Sequence, residues 1–350
     1  MIYPTFVSTS SLTSETKTSI SRIQSRLIES QGEMTSGRLA DVGLTLGSKT
    51  GLAVNLRQQQ LQATTLRDTN TMVATRLKAT QLSLQNISDL TQNYLGTVVR
   101  GQATISSSPT LVAEARSALT SLGDAINVSI DGQYLLSGIN SDVRPVQGYF
   151  ASPPSDSRQA VAAAFQAEFG FAQADPAAAS ITNAQMTAFL DNRFSAEFAD
   201  PNWSANWSAA SDRNVRSRIS RLDLVETSTN ANEQVFRDLT ASMVMIADLG
   251  FEGLNDNARQ AIIDKAVKLT GAAVGGIADL QSNLGVTQER VTTSSKILDL
   301  QVNQVSKLID DLESVDPTEV ATRIGSLMTQ LEGAYSITKR MHDLSLLNYL

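Results

Sequence analysis

The residues able to carry out acid–base, nucleophilic or metal chemistry are scarce in this sequence. His342 is the only histidine, and cysteine is absent from the 350 residues. A pair of histidines for acid–base catalysis, a catalytic thiolate and a cysteine-ligated zinc site are therefore excluded, and we predict no catalytic triad around His342. The sequence also lacks a G-x-x-x-x-G-K-[ST] loop for phosphate binding. We predict that the protein is not an enzyme and binds no cofactor, and we expect His342 to lie on the surface.

A cluster of acidic residues is the candidate for a cation site. Its members are Asp310, Asp311, Glu313 and Asp316. Asp316 precedes Pro317 and Glu319, which is the order of an N-cap residue, a proline at the first helical position and an acidic residue in the first turn. We therefore attribute the cluster to helix capping and a solvated helix end, and predict no bound metal.

Two other motifs are compatible with binding but are better explained by packing. The segment "NWSANWS" holds both tryptophans, which we expect to anchor a small core rather than to form an exposed platform. Gly271 and Gly275 have GxxxG spacing between charged neighbours, which predicts a close approach of helices in an aqueous bundle.

The bulk composition favours long helices over a thick globular core. Apolar residues make up 41% of the sequence and aromatic residues 5%. Such a composition suits narrow apolar seams. The net charge of −7 argues against nucleic-acid binding, which requires a basic surface. The sequence shows neither the pattern of a secretory signal peptide nor the roughly 20 apolar residues of a membrane-spanning helix. If the protein is exported, we expect a route without a cleaved signal.

Two long segments carry a seven-residue repeat. The first series is Leu56, Ala63, Asn70, Leu77, Leu84, Thr91 and Val98. The second series is Ile263, Thr270, Ile277, Leu284, Val291, Leu298, Val305 and Leu312. Such repeats predict long helices that pack on partner helices, with Asn70 as a polar residue able to fix the register. "SVDPTEV" then predicts a corner and a final helix that returns along the chain.

The region between these segments has a different composition. Seven of the ten phenylalanines and both tryptophans lie within residues 146–228. Before it, "QYLL" and "VRPV" are predicted to be short strands joined by "SGINSD", after a helix over residues 111–130. "VRSRISRLDLVET" predicts one or two strands, and the next helix is expected to be capped by Asn230 with Glu233 and to end at Gly250.

The predicted fold class is mainly α, with a long antiparallel coiled-coil-like helical stem formed by both termini and an inserted small α/β head domain. We place partner-dependent terminal segments at 1–50 and 316–350, stem segments at 51–145 and 231–315, and the head at 146–230. The end "LSLLNYL" is apolar beyond any helix cap, which favours its burial by another chain.

Three segments resemble the flagellin superfamily of bacterial flagella, and within it the hook-associated protein 3 family, whose members join hook to filament. "RLIESQGEMTSGRLADVG" resembles the N-terminal helix and the turn that follows it. "DGQYLLSGINSDVRP" is similar to a G-x-Y-(L/I)-F-(S/A)-G signature that precedes a variable domain. "DPTEVATRIGSLMTQLEGAYSITKRMHDLSLLNYL" resembles the C-terminal helix and its "SLL-x-(Y/F)-L" end.

The resemblance implies a structural, secreted protein that leaves the cell by flagellar type III export and is ordered fully in an extracellular tube. It implies a homo-oligomeric ring at the hook–filament junction, contacts with a neighbouring hook-associated protein and flagellin, and a cytoplasmic chaperone on the C-terminal helices. Neither nucleic-acid binding nor membrane insertion is implied. The predicted assembly interface is Ile20, Ile23, Leu27, Ile324, Leu327, Leu331, Met341, Leu344, Leu347, Tyr349 and Leu350.

Two alternatives remain at this point. The first is flagellin itself, the filament subunit. The second, from a different class, is a type III secreted coiled-coil tip or effector protein. Pairing of the two terminal segments with each other, and with identical neighbours in a tube, separates flagellar proteins from the latter class.

Overall fold

A computed structural model describes residues 9–103 and 108–347. The helices are α1 Thr9–Ser36, α2 Val42–Leu46, α3 Thr50–Ala103, α4 Ser108–Ile126, α5 Asp156–Phe169, α6 Asn183–Phe189, α7 Ser195–Glu197, α8 Asn202–Asn206, α9 Gln234–Asp248, α10 Asp256–Glu313 and α11 Pro317–Leu347. The strands are β1 Ser129–Ile130, β2 Gln133–Tyr134, β3 Arg216–Arg218 and β4 Leu224–Glu226. Strands β1 and β2 form one two-stranded antiparallel sheet, and strands β3 and β4 form another. This arrangement confirms the predicted fold class.

The seven-residue repeats lie on the two longest helices. Helix α3 has 54 residues and α10 has 58. Every member of the first repeat series is buried, and the second series is buried except for the partly buried Leu312. The repeat therefore predicted the inward-facing side of both helices correctly. Asp316 also begins α11 as predicted, because its Oδ1 accepts a hydrogen bond of 2.7 Å from the backbone N–H of Thr318.

The chain divides into two compact units. The terminal unit comprises residues 1–65 and 299–350, and the central unit comprises residues 66–298. Both long helices contribute residues to each unit.

In the central unit, hydrogen bonds connect α3 to three other helices. The hydroxyl of Ser83 donates to the carbonyl of Ala125 on α4 (2.8 Å), and that of Tyr94 donates to the carbonyl of Ser242 on α9 (3.0 Å). The amide of Gln81 donates to the carbonyl of Gln281 on α10 (2.7 Å). Helix α9 is buried along nearly its whole length, so it forms the centre of this unit.

The inserted segment packs its aromatic rings into a continuous chain of contacts. Phe189 contacts Phe194, Phe194 contacts Phe198, and Phe198 contacts Trp207, with ring centroids 4.6–5.8 Å apart. Trp203 and Trp207 are both buried. The expectation that the tryptophans anchor a core is confirmed, and the rings belong to the same buried cluster as α9 and α10.

The first hairpin differs from the prediction. Strand β1 pairs with β2, so "QYLL" contributes its first two residues and "VRPV" forms no strand. Asp131 (φ +50°) and Gly132 (φ +77°) supply the left-handed turn that a two-residue hairpin requires. Helix α4 consequently ends at Ile126 rather than at residue 130. Val146 makes a single bridge with Ser208.

Two smaller predictions were also wrong. Helix α9 begins after Glu233 without a side-chain cap, because Asn230 Oδ1 instead accepts from the backbone N–H of Asn232 within the preceding turn. A Cβ atom at Gly271 or Gly275 would meet nothing within 4 Å, whereas one at Gly276 would lie 3.1 Å from Cγ2 of Val235. The predicted helix end at Gly250 (φ +69°) is confirmed.

Candidate assembly surface

Helices α1 and α11 pack against each other in the terminal unit. Gln24 Nε2 donates to the hydroxyl of Tyr335 (2.9 Å), and Arg323 Nη1 donates to Glu33 Oε2 (3.0 Å). From position 24 to position 33 of α1 the residue number rises, whereas that of the bonded residue on α11 falls from 335 to 323. The two helices are therefore antiparallel. Helices α1 and α11 thus form one paired arm.

Seven of the predicted interface residues lie on these two helices. Leu327 is buried. The others are partly buried: Ile20, Ile23, Leu27, Ile324, Leu331 and Met341. The side chains of Leu344 and Leu347, and the whole of Tyr349 and Leu350, lie outside the described residues. The role of all eleven in contacts between subunits remains a prediction.

The turn after α1 and the corner after α10 are joined by backbone hydrogen bonds. The N–H of Leu39 donates to the carbonyl of Glu313 (2.9 Å), and the N–H of Val315 donates to the carbonyl of Gly37 (3.1 Å). Gly37 has a φ of +69°, which places its carbonyl at this junction without a side-chain penalty. These bonds fix where α1 ends relative to where α11 begins.

Glu313 is the buried charge at this junction, which corrects the expectation of a solvated acidic helix end. Its side chain is 0% exposed, and its Oε2 accepts from Arg57 at 2.6 Å. That hydrogen bond raises the pKa of Arg57. Arg38 pairs with Asp310 at 2.6 Å and lies 3.9 Å from Glu313. The acidic cluster therefore binds arginines and caps a helix.

The seven-residue repeat does not predict the buried carboxylates Glu313 and Glu33, because neither is one of its members. Glu313 follows Leu312, the last member of the second series, and Glu33 precedes the glycine-containing turn. A buried carboxylate requires a partner, and both carboxylates have an arginine about 250 or more residues away in sequence. These ion pairs can be recognised only in the folded structure, where the segments distant in sequence pack together.

The terminal unit also exposes many large apolar side chains. On α1, the segment after it and α3 these are Ile28, Met34, Leu44, Leu52, Val54 and Leu61. On α10 and α11 they are Leu300, Leu308, Met328, Tyr335 and Ile337. Leu44 is 86% exposed and Leu300 is 70% exposed. None of them belongs to the seven-residue series, so the repeat did not predict them. Such surfaces mark sites of protein interaction.

A groove of 850 Å³ runs between α1, the segment 40–45 and α11. Its lining includes Ser30, Ala40, Leu44, Leu327 and Gln330. Most of the other lining residues are polar or charged, and Leu44 and Leu327 are its larger apolar residues, so a partner would meet a mainly polar surface there. The groove and the exposed apolar residues together form the candidate assembly surface.

The segment "GQYLLSG" has a structural role in the central unit. Leu135 and Leu136 are buried, and Arg76 Nη2 donates to the carbonyl of Tyr134 (2.9 Å). Gly138 (φ +61°) approaches the backbone so closely that a Cβ atom would lie 2.4 Å from the carbonyl oxygen of Ser211. The segment thus attaches the inserted head to α3.

Neither a metal-binding cluster nor a membrane-spanning helix is found among the described residues. They contain no group of three or more His, Cys, Asp and Glu side chains arranged to hold a metal ion. Across the same residues, none of the helices combines the length and apolar character needed to span a bilayer. His342 is exposed, as expected.

Comparison with solved structures identifies the fold. A Vibrio parahaemolyticus protein assigned as a flagellar hook-associated protein matches with a TM-score of 0.52 and 11% identity, covering 76% of this chain and 97% of that one. Bacillus cereus FlgL matches with a TM-score of 0.47 and 12% identity, over 74% of this chain and 98% of that chain. A search of the curated proteins finds no significant match.

Two family descriptions match the sequence itself. The bacterial flagellin N-terminal helical region matches residues 7–141, and the bacterial flagellin C-terminal helical region matches residues 267–350. These ranges include α1, α3, α11 and most of α10, which are the elements of the paired arm and of the repeats. Since the two matches together cover more than half of the sequence, the chain belongs to the bacterial flagellin superfamily and is a structural protein of the flagellum.

Proposed function

We propose that this protein forms the junction between hook and filament, using its terminal helices to pack against neighbouring subunits. The observation that carries the proposal is the paired arm of α1 and α11, which leaves the apolar side chains of Ile28, Met328 and Ile337 exposed. Apolar side chains that a helix pair does not bury between its own two helices can pack against other chains. The position at the junction is supported by the fold shared with the Vibrio hook-associated protein.

The arm supplies the contacts within the proposed ring. The residues proposed for it are the seven described ones on α1 and α11, together with Leu344, Leu347, Tyr349 and Leu350. Segments 1–50 and 316–350 depend on partners in this proposal, because their narrow seams bury little surface without neighbours. The groove beside Leu44 receives part of an adjacent subunit.

The remaining partners follow from the same proposal. The chain leaves the cytoplasm by type III export, with a chaperone that holds its C-terminal helices, and reaches the extracellular flagellum. A hook-associated protein lies on one side of the ring and flagellin on the other. The role is mechanical and requires no catalytic residue.

Self-assembly separates a junction subunit from flagellin. A filament subunit accepts copies of itself without limit, whereas a junction subunit meets unlike neighbours above and below. Purified protein added to filament seeds is expected to bind their ends without growing long tubes. Growth to micrometre filaments of this chain alone would identify it as flagellin instead.

Electron microscopy of cells that lack the gene provides the second measurement. Hooks without filaments, with flagellin released into the medium, are the expected result. Hooks that bear normal filaments would contradict the junction role, and the loss of hooks as well would indicate an earlier step in assembly.

A further inference from the structure

The second hairpin, formed by β3 and β4, has an apolar side chain at its tip that the central unit does not cover. Leu222 lies in the turn between the two strands and is 97% exposed. Arg218 and Arg221 are exposed as well. Residues 213–222 contain four arginines and no acidic residue, although the chain as a whole has a net charge of −7. The tip therefore combines an exposed leucine with positive charge in an acidic protein.

Hydrogen bonds hold the turn of this hairpin in a defined conformation. The Oγ of Ser220 accepts from the backbone N–H of Asp223 (3.1 Å), and the backbone N–H of Ile219 donates to the carbonyl of Asp223 (3.0 Å). The carboxylate of Asp223 also binds Arg290 of α10 at 2.8 Å. Because the turn is fixed, Leu222 can contact a partner at a low ordering cost.

Two arginines of the tip have a charge that is available to a partner. Nη1 of Arg218 donates to the backbone carbonyl of Arg221 (2.9 Å), and neither guanidinium forms an ion pair in the part of the chain that the structure describes. Arg216 lies opposite Glu226 in the strand register, so its charge is partly offset. Arginine is enriched at protein interfaces. The tip thus fits a partner surface that is acidic and has some apolar area.

The groove between α1, the segment 40–45 and α11 has the complementary charge. Arg323 already binds Glu33 and Glu319, both at 3.0 Å. Glu29 is exposed and makes no hydrogen bond or ion pair within the described residues. Leu44, which is 86% exposed, adds apolar surface to the same groove. The charged residues of the lining are Arg26, Glu29, Glu33, Asp41, Asp316, Glu319 and Arg323, so the groove is negative overall.

We propose that the hairpin tip of one copy of this chain occupies the groove of an adjacent copy, with Leu222 against Leu44 and Arg221 against Glu29. The inference rests on the proposed function, in which subunits of one ring contact each other, and it names the segment that the groove receives. Opposite charges across such a contact favour the correct partner and orientation. Because the two surfaces differ, the contact is heterologous, which is the type that closes into rings.

Disulfide cross-linking tests this contact, because the native chain has no cysteine. Cells that lack the native gene co-express one chain with Leu44→Cys and another with Leu222→Cys, so a disulfide between positions 44 and 222 joins two copies. Isolated flagella are oxidised with copper(II) phenanthroline. Two copper(II) ions accept the two electrons released when two thiols lose their protons and form one S–S bond. Mass spectrometry then identifies the linked peptides.

The yield of the 44–222 linkage should exceed that of a control pair at least tenfold. The control combines Leu44→Cys with Leu82→Cys, because Leu82 is 59% exposed and lies on α3, outside the hairpin. A yield no greater than the control, in flagella that contain both chains, would overturn the inference and leave the junction role intact. Absence of the native chain from isolated flagella would contradict the junction role itself.

Charge reversal gives an independent measurement. Arg221→Glu changes the tip and Glu29→Arg changes the groove, and both side chains are exposed, so neither variant should alter the thermal transition. Each single variant should slow spreading in soft agar at least threefold. The two changes in one chain should restore spreading to within twofold of the native rate, because opposite charges meet again.

Lys78→Glu is the matched control for the change of charge, since Lys78 is exposed on α3 and lies outside both surfaces. It should keep the native rate of spreading. Native spreading in both single variants, or a loss that the combined variant does not relieve, would overturn the pairing of tip and groove.

Discussion

Gly138 lies where two stretches of backbone approach too closely for any side chain. A Cβ atom there would be 2.4 Å from the carbonyl oxygen of Ser211 and 2.6 Å from that of Arg213. Gly132 also has a positive φ, but a Cβ atom would meet nothing within 4 Å. The two glycines of the same signature are therefore required for different reasons.

We predict that Gly138→Ala destabilises the central unit far more than Gly132→Ala. The left-handed backbone alone costs a non-glycine residue about 1–2 kcal/mol, and that is the expected loss for Gly132→Ala. Gly138→Ala adds a backbone clash, so its loss should exceed about 4 kcal/mol. Thermal and urea unfolding measure both. Similar losses in the two variants would show that the loop at residues 211–213 moves aside freely.

Asp316 makes the start of α11 sensitive to acid. Hydrogen bonds from the backbone and side chain of Thr318 and from the backbone of Glu319 lower the pKa of Asp316. Because the folded-state pKa lies below the unfolded one, the stabilisation is complete above the unfolded value of about 3.9. It is lost as the pH falls through the lower, folded value.

The prediction is that the first turn of α11 loses hydrogen-exchange protection below about pH 4, and that Asp316→Asn removes this pH dependence. Asparagine still caps the helix but does not titrate in this range. Rates are compared with those of an unstructured peptide at each pH. The exposed Asp311, changed to Asn, is the control and should retain the native profile. A native-like profile in Asp316→Asn would assign the acid sensitivity to another group.

At the scale of elements, the sequence predicts long helices best. A seven-residue repeat involves many positions at once, so polar exceptions such as Thr91 and Thr270 do not obscure it. The hairpin at Asp131–Gly132 was misplaced because those residues also suit a helix end, and only pairing with β2 distinguishes the two. Of the predicted interface residues, Leu327 lines the groove of the candidate assembly surface. The charged residues Glu33 and Arg323 of the groove were not predicted, because each depends on a partner distant in sequence.

Asn70 connects the second hairpin to the long helices. Its Nδ2 donates to the carbonyl of Ile219 at 2.9 Å, and the hydroxyl of Ser294 donates to the same oxygen at 2.5 Å. The Oδ1 of Asn70 is buried and has no partner within the described part of the chain. The carbonyl thus has two donors, one from α3 and one from α10.

We predict that these two donors act non-additively. Asn70→Leu should change the free energy of unfolding by less than about 1 kcal/mol, since Ser294 still satisfies the carbonyl. Ser294→Ala should behave similarly. The double variant leaves the oxygen without either donor and should lose about 1–3 kcal/mol beyond the sum of the single changes. A double-mutant cycle from urea unfolding measures this coupling, and strict additivity would contradict it.

At the scale of the whole molecule, the terminal arm and the central unit have separate requirements. The central core includes buried aromatic residues such as Phe165 and Phe236, whereas the buried apolar cluster of the terminal unit consists of Leu56, Val305 and Ile309 with Leu312 against it. A small cluster of this kind gives little stability without added contacts.

Deleting residues 344–350 is therefore expected to prevent assembly while the main thermal transition shifts by less than about 2 °C, because none of the deleted residues lies within the central unit. Motility in soft agar and the thermal transition measure the two effects. The exposed His342, changed to Ala, is the control and should preserve both. A truncated chain that restores motility would show that these apolar residues make no essential contact.

The pairing of α1 with α11 also bears on the order of folding. The hydrogen bond between Gln24 and Tyr335 closes a loop of 311 residues. Closing so long a loop costs more entropy than any contact within α3–α4 or α9–α10, and its cost falls once the intervening chain is compact. The arm should consequently form last during refolding, after the tryptophans are buried. A newly made chain would then present its two ends unpaired for the whole interval in which its middle folds.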